Sequence, residues 1–190
     1  MAASSGPQPD SPTLQFAAAL LLQAQGVRAA IFDVDGVLTD GGLWMGEHGE
    51  ALKRFNILDG LGLKLLQRAG ITPLVVTGRD SAPLRQRLAA LGISHARFGV
   101  EDKLPAAQQL LDTLGVAWDA VAVIGDDWPD LPLLVRAGFA AAPPHAHPEV
   151  RARVAWITPS PGGHGAARDF CDLLLVASGR YADLLREVTG

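Results

Sequence analysis

Cysteine is almost absent from this chain of 190 residues: Cys171 stands alone. An intrachain disulfide framework and a multi-cysteine zinc site are thereby excluded, and the lone thiol is expected as a small buried hydrophobe. Long apolar runs are missing too, since none reaches the roughly 18 residues needed to span a bilayer. No Lys or Arg precedes Arg28, so the basic start of a secretory signal is lacking. Basic residues are not in excess: 16 Lys and Arg stand against 20 Asp and Glu, a net charge of −4 with no block of like charge. A chain that neutralises many phosphates of a duplex is basic, so general nucleic-acid binding is disfavoured. The expectation is a cytoplasmic protein with neither a membrane nor a nucleic-acid partner.

Hydrophobic residues make up 48% of the chain, and a chain of this length can bury roughly 70% of its unfolded surface. The first segment, residues 1–12, is small, polar and Pro-rich, and is expected as a disordered tail. Residues 13–190 are then expected to form a single domain. Compact apolar runs at 27–32, 72–76, 93–98, 120–124, 139–142 and 154–157 read as strands. Helical spacing marks 13–25, 60–69, 81–91, 103–114, about 130–137 and the last 25 residues. This alternation predicts an α/β fold, a doubly wound (Rossmann-like) parallel sheet with helices on both faces. One stretch breaks it. Residues 41–58 read as two short strands around Gly46-Glu47-His48-Gly49, a β-hairpin insert over about 42–56 that leaves Trp44 and Met45 exposed.

Polar residues cluster just after the strands, at Asp33, Thr77 and Asp126. In open α/β sheets the ligand crevice lies at the carboxyl ends of the strands, so three strands deliver oxygen-bearing side chains to one edge. The sharpest signal is Asp33-Val34-Asp35-Gly36-Val37-Leu38-Thr39-Asp40-Gly41. Two carboxylates at i and i+2 after a buried strand are costly unless a cation pairs with them; an ordinary Asx turn is the bland alternative.

That segment resembles the first motif of the haloacid dehalogenase superfamily. Thr77 in VVTGR, Lys103 at a helix start and Gly125-Asp126-Asp127-Trp128-Pro129-Asp130 resemble the later motifs, in the right order. The resemblance implies a phosphatase. Asp33 would attack phosphorus, and Asp35 would protonate the leaving alkoxide and then activate water. Mg²⁺ would sit between Asp33, Asp126, the backbone carbonyl of Asp35 and the phosphate. Thr77 and nearby backbone N–H groups, with Lys103, would hold the phosphate. Asp127 and Asp130 would tune Lys103 or the metal's waters, although Asp130 also suits a helix cap.

A closer likeness spans about residues 27–175, through KRFNILDGLG at 53–62, IGDDWPDLP at 124–132, APPHAHPEV at 142–150 and GGHGAARDFCDLLL at 162–175. These segments resemble the 3-deoxy-D-manno-octulosonate-8-phosphate phosphatases, a family serving lipopolysaccharide precursor synthesis. The resemblance implies a small phosphorylated sugar acid as substrate, Mg²⁺ as cofactor and no large cap domain. It also implies a homotetramer joined through the hairpins, with a C-terminal segment reaching a neighbour's site. Asn56, Ile57, Leu58, Asp59 and Gly60 would line the sugar pocket. Lys64, Arg79 and Arg87 would meet the sugar carboxylate or phosphate, beside Gly78. The pattern departs at Pro129, where the family often has Asn; Pro offers neither a side-chain amide nor a backbone donor. Two further readings stand beside this one: a phosphatase of nonulosonic acid 9-phosphates, and a non-catalytic tetramerising module. A response-regulator receiver is disfavoured because the carboxylate pair follows the first strand. His145-Ala146-His147, in a Pro-rich loop, reads as structural.

Overall fold

The structure, a computed structural model, describes residues 13–189; the tail expected over 1–12 lies outside them. The first central strand, β1 (Ala29–Phe32), is buried along its whole length. Its residues alternate between two cores: Ala30 and Phe32 pack on one side, Ala29 and Ile31 on the other. A strand covered on both faces needs apolar residues at every position, which is why the run is continuous rather than alternating.

Around β1 lie β4 (Thr72–Val76), β5 (Ala96–Arg97), β6 (Val121–Ile124), β7 (Phe139–Ala142) and β8 (Trp156–Ile157). They form one six-stranded sheet in the order β5-β4-β1-β6-β7-β8, with every pairing parallel. Helices α2 (Ile57–Arg68), α3 (Ala82–Leu91) and α7 (Ala166–Ala177) cover the Phe32 face. Helices α4 (Lys103–Leu114), α5 (Leu131–Leu134) and α6 (Pro148–Arg151) cover the Ile31 face. The winding reverses between β1 and β6, so their carboxyl ends flank the switch point where open α/β sheets bind ligands. This is the doubly wound fold read from the strand–helix alternation.

Element ends differ by a few residues. The expected helix over 13–25 narrows to α1 (Ala18–Gln23), which has no side-chain cap at its start. Helix α2 begins earlier than expected, at Ile57, because the Asn56 side chain accepts a hydrogen bond from the Leu58 N–H (2.8 Å) and caps it. The C-terminal region divides into α7 and α8 (Tyr181–Thr189), with Gly179 at φ +72° between them. The expected hairpin is present as β2 (Trp44–Gly46) and β3 (Gly49–Leu52), an isolated antiparallel pair. Trp44, Met45 and Leu52 on it are each more than 60% exposed. No second domain caps the sheet among the described residues. No helix among them is long and apolar enough to cross a membrane.

Candidate active site

Burial sets the terms at the strand ends. Asp33 follows β1 directly, and its backbone N–H donates to the Ile124 carbonyl (3.1 Å), which ties it to β6. Its carboxylate is 7% exposed and accepts from Lys103 Nζ at 2.6 Å. Lys103, the first residue of α4, also donates to Asp130 (2.7 Å). Burial would depress this ammonium, but the Asp130 and Asp33 carboxylates outweigh it and hold the pKa above the ordinary value. The other Asp130 oxygen accepts from the backbone N–H groups of Asp126 (3.0 Å) and Asp127 (3.3 Å). Asp127 caps the same turn by accepting from the Trp128 N–H (2.8 Å). Asp130 therefore pairs with Lys103 and closes the capping box of the turn at 128–130, while its side chain makes no cap bond to α5, the helix that follows it.

Asp126, two residues beyond β6, faces this group. Oxygens of Asp33, Asp126 and Asp130 lie within 4.8 Å of one another. Burial pushes Asp126 up to about 8, with Asp33, Asp130 and Asp127 adding to the rise against Lys103. Burial and Asp130 push Asp33 up to about 7, again against Lys103. Three crowded carboxylates share one ammonium, an excess of negative charge that a hard divalent cation would neutralise. Both Asp130 oxygens are already engaged, which leaves Asp33 and Asp126 as the freer donors. Gly36 makes room for them: a Cβ there would stand 2.1 Å from an Asp126 carboxylate oxygen, and its φ is +91°. The donor set fits a magnesium-like ion.

Thr77 directly follows β4 and is buried; its hydroxyl accepts from the Arg79 N–H (3.3 Å). Asp33, Asp35, Thr77, Gly78, Arg79, Lys103, Asp126, Asp127 and Asp130 all border one cleft of about 460 Å³, with Pro129 on its rim. The other seven expected site residues lie elsewhere, or border a different gap. Asn56, Asp59, Gly60 and Arg87 line a separate narrow gap between α2 and α3. There Arg87 donates to the Asn56 carbonyl (3.0 Å), and a Cβ on Gly60 would collide with Arg87 at 2.2 Å. Asp59 accepts from the Arg168 N–H (2.8 Å), fastening α2 to the start of α7. Burial pushes its carboxyl up to about 6, aided by Asp169 and opposed by backbone donors. Ile57 and Leu58 are exposed, as is Lys64 on the outer side of α2. These residues lie on or beside α2, apart from the carboxylate-lined cleft.

Two residues at the cleft were not singled out from the sequence. Lys53, just after β3, contacts the Asp35 carboxylate, and Glu50 on β3 lies 3.3 Å from the same ammonium. A Glu in a short strand and a Lys just after it carry no sequence signal of burial. Only the folding of the hairpin back toward Asp35, beyond the carboxyl end of β1, turns them inward. His147 accepts from the Trp128 indole (3.0 Å) and the Glu149 N–H (3.2 Å), capping α6, which bears out the structural reading of that loop. Cys171 is wholly buried, and burial pushes its thiol well up, as expected of a packing residue.

Residues 97–168 match the haloacid dehalogenase-like hydrolase family. The chain is 41% identical over 161 residues to the 3-deoxy-D-manno-octulosonate 8-phosphate phosphatase of Escherichia coli K12, covering 85% of this chain and 86% of that one. The crystal structure of the Yersinia pestis 3-deoxy-D-manno-octulosonate 8-phosphate phosphatase superposes with a TM-score of 0.85 at 40% identity, covering 87% and 90% of the two chains. The Moraxella catarrhalis phosphatase, solved with magnesium, phosphate and the eight-carbon sugar acid, gives a TM-score of 0.86 at 37% identity over 90% and 98%. Carboxylates, Thr and Lys at the strand ends thus agree with the whole-chain likeness. The chain is a phosphoric monoester hydrolase that belongs to the 3-deoxy-D-manno-octulosonate 8-phosphate phosphatases of the haloacid dehalogenase-like hydrolases.

Proposed function

We propose that this chain is a Mg²⁺-dependent phosphatase that releases inorganic phosphate from 3-deoxy-D-manno-octulosonate 8-phosphate in the cytoplasm, in the synthesis of lipopolysaccharide precursor. The observation that carries the reading is Asp33, a buried carboxylate held by Lys103 and facing Asp126 at the mouth of one cleft. Asp33 attacks phosphorus as the bond to the sugar oxygen breaks, giving an aspartyl phosphate. Asp35 supplies the proton that the leaving alkoxide takes, then removes one from the water that hydrolyses the acyl phosphate. Lys103 and the Thr77 hydroxyl, with the amides after β4, hold the phosphoryl oxygens. Asp33, Asp126 and the Asp35 carbonyl would hold Mg²⁺. When bound, the ion neutralises phosphoryl charge and lowers the repulsion that Asp33 meets on attack.

Arg79 borders the same cleft, and its guanidinium fork suits the carboxylate of a sugar acid. Asn56 to Gly60, Lys64 and Arg87 lie off the cleft in one protomer, so a sugar-binding role for them calls for a neighbouring subunit. The exposed apolar hairpin supports a homotetramer that brings subunits together. Sugar preference is tested by comparing kcat/KM for the eight-carbon 8-phosphate with that for a nonulosonic acid 9-phosphate. The reading expects the 8-phosphate to win, and equal or reversed values would overturn it.

A further inference from the structure

The hairpin carries more than exposed apolar residues. Lys53 leaves the end of β3 with its side chain 1% exposed, and its ammonium touches Asp35 Oδ1. Asp35 Oδ2, on the other side of the carboxyl, lies 3.9 Å from Arg79 Nε. Glu50 spans the two cations, with Oε1 at 3.3 Å from Lys53 Nζ and Oε2 at 3.5 Å from Arg79 Nε. Lys53, Asp35, Arg79 and Glu50 thus close a ring of alternating charge at the cleft. Glu50 Oε1 is buried with no hydrogen-bond partner among the described residues, and the adjacent Lys53 charge compensates it.

A buried ion pair contributes little stability compared with apolar residues of the same volume. A hairpin that needed only to fold would do as well with Met at position 53. The ring instead determines where one carboxyl group points, and that group is the one that exchanges protons.

We propose that Lys53 is a positioning residue for Asp35. Its ammonium holds Oδ1, so Oδ2 is the oxygen that gives its proton to the sugar oxygen as the P–O bond breaks and the Asp33–phosphorus bond forms. Glu50 keeps both Lys53 and Arg79 in place. The hairpin is then part of the catalytic site of every protomer, apart from any part it plays in assembly. This inference rests on the phosphatase reading above.

The test compares two leaving groups. An alkyl phosphate needs a proton on its departing oxygen, whereas p-nitrophenolate leaves without one, and kcat/KM reports the step in which that difference arises. In Lys53→Met, which keeps the apolar stem, the alkyl-to-aryl ratio of kcat/KM is expected to fall by about tenfold or more. Lys53→Arg is expected to restore most of that ratio. An unchanged ratio overturns the inference, whether both activities fall together or neither does. If Lys53→Met does not fold, Glu50→Gln loosens Lys53 at nearly the same volume and is read by the same ratio, with the same outcomes. A wild type that hydrolyses simple alkyl phosphates but not the sugar acid phosphate refutes the substrate reading and leaves the ratio test intact. A wild type without phosphatase activity refutes both.

Discussion

Gly36→Ala perturbs the proposed metal site through a single methyl group. The new Cβ would stand 2.1 Å from one Asp126 oxygen and 2.5 Å from its Cγ, where ordinary contact begins at 3.4 Å. Asp126 must therefore retreat by about 1.3 Å, the difference between 2.1 Å and 3.4 Å, or the loop from β1 to β2 must open. Mg²⁺ demands ligand distances good to about 0.2 Å, so a displacement of this size removes Asp126 from the coordination sphere. The backbone at φ +91° adds a strain of about 1–2 kcal/mol for a non-glycine residue. The expected result is a fall in kcat of about 100-fold at saturating substrate, with Mg²⁺ affinity weakened by about tenfold or more. Gly92→Ala is the control. Gly92 also has positive φ, at +70°, but nothing lies within 4 Å of a Cβ there. That variant is expected to lose a few degrees of melting temperature while its Mg²⁺ titration stays where the wild type's is. Equal Mg²⁺ titrations for Gly36→Ala and Gly92→Ala would refute the assignment of Asp126 to the metal.

The raised carboxyls give the metal-free protein a pH-dependent stability. Asp126 and Asp33, at about 8 and about 7, keep protons in the native state that the unfolded chain releases near 3.8. Their contribution is full below 3.8 and is lost as pH rises through 7 to 8. The melting temperature without Mg²⁺ is thus expected to fall between about pH 5 and about pH 8.5, and Mg²⁺ to raise it more at the higher pH. A flat profile in both conditions would contradict the crowding of these carboxylates. Lys103→Met leaves Asp33 and Asp130 without their shared cation, and denaturant unfolding is expected to show a loss of about 3 kcal/mol or more at neutral pH. A change under about 1 kcal/mol would mean that the carboxylates find another partner.

The sheet was legible because its strands are buried on both faces, and only apolar residues tolerate that at every position. The runs at 72–76, 120–124 and 139–142 became β4, β6 and β7 within one residue. Short edge strands were less visible: β5 and β8 hold two residues each, too few for any period to show. At the site, Asp33, Thr77 and Asp126 were readable because each lies within two residues of the end of a buried strand, whereas Lys103 was picked out by the family resemblance. Asp59 was harder. Its partner is the Arg168 N–H, more than a hundred residues away, and only the packing of α2 on α7 reveals that it fastens two helices. Lys53 was invisible for a related reason. Its neighbours in sequence are exposed, and its burial comes from Asp35 and Glu50 after the hairpin folds back.

Phosphate release from 3-deoxy-D-manno-octulosonate 8-phosphate, measured with Mg²⁺ for the wild type and for Asp33→Ala, bears most directly on the central assignment. The nucleophile role of Asp33 predicts Mg²⁺-dependent turnover in the wild type and none above background in the variant. Undiminished turnover by Asp33→Ala, or no release by the wild type, would contradict it.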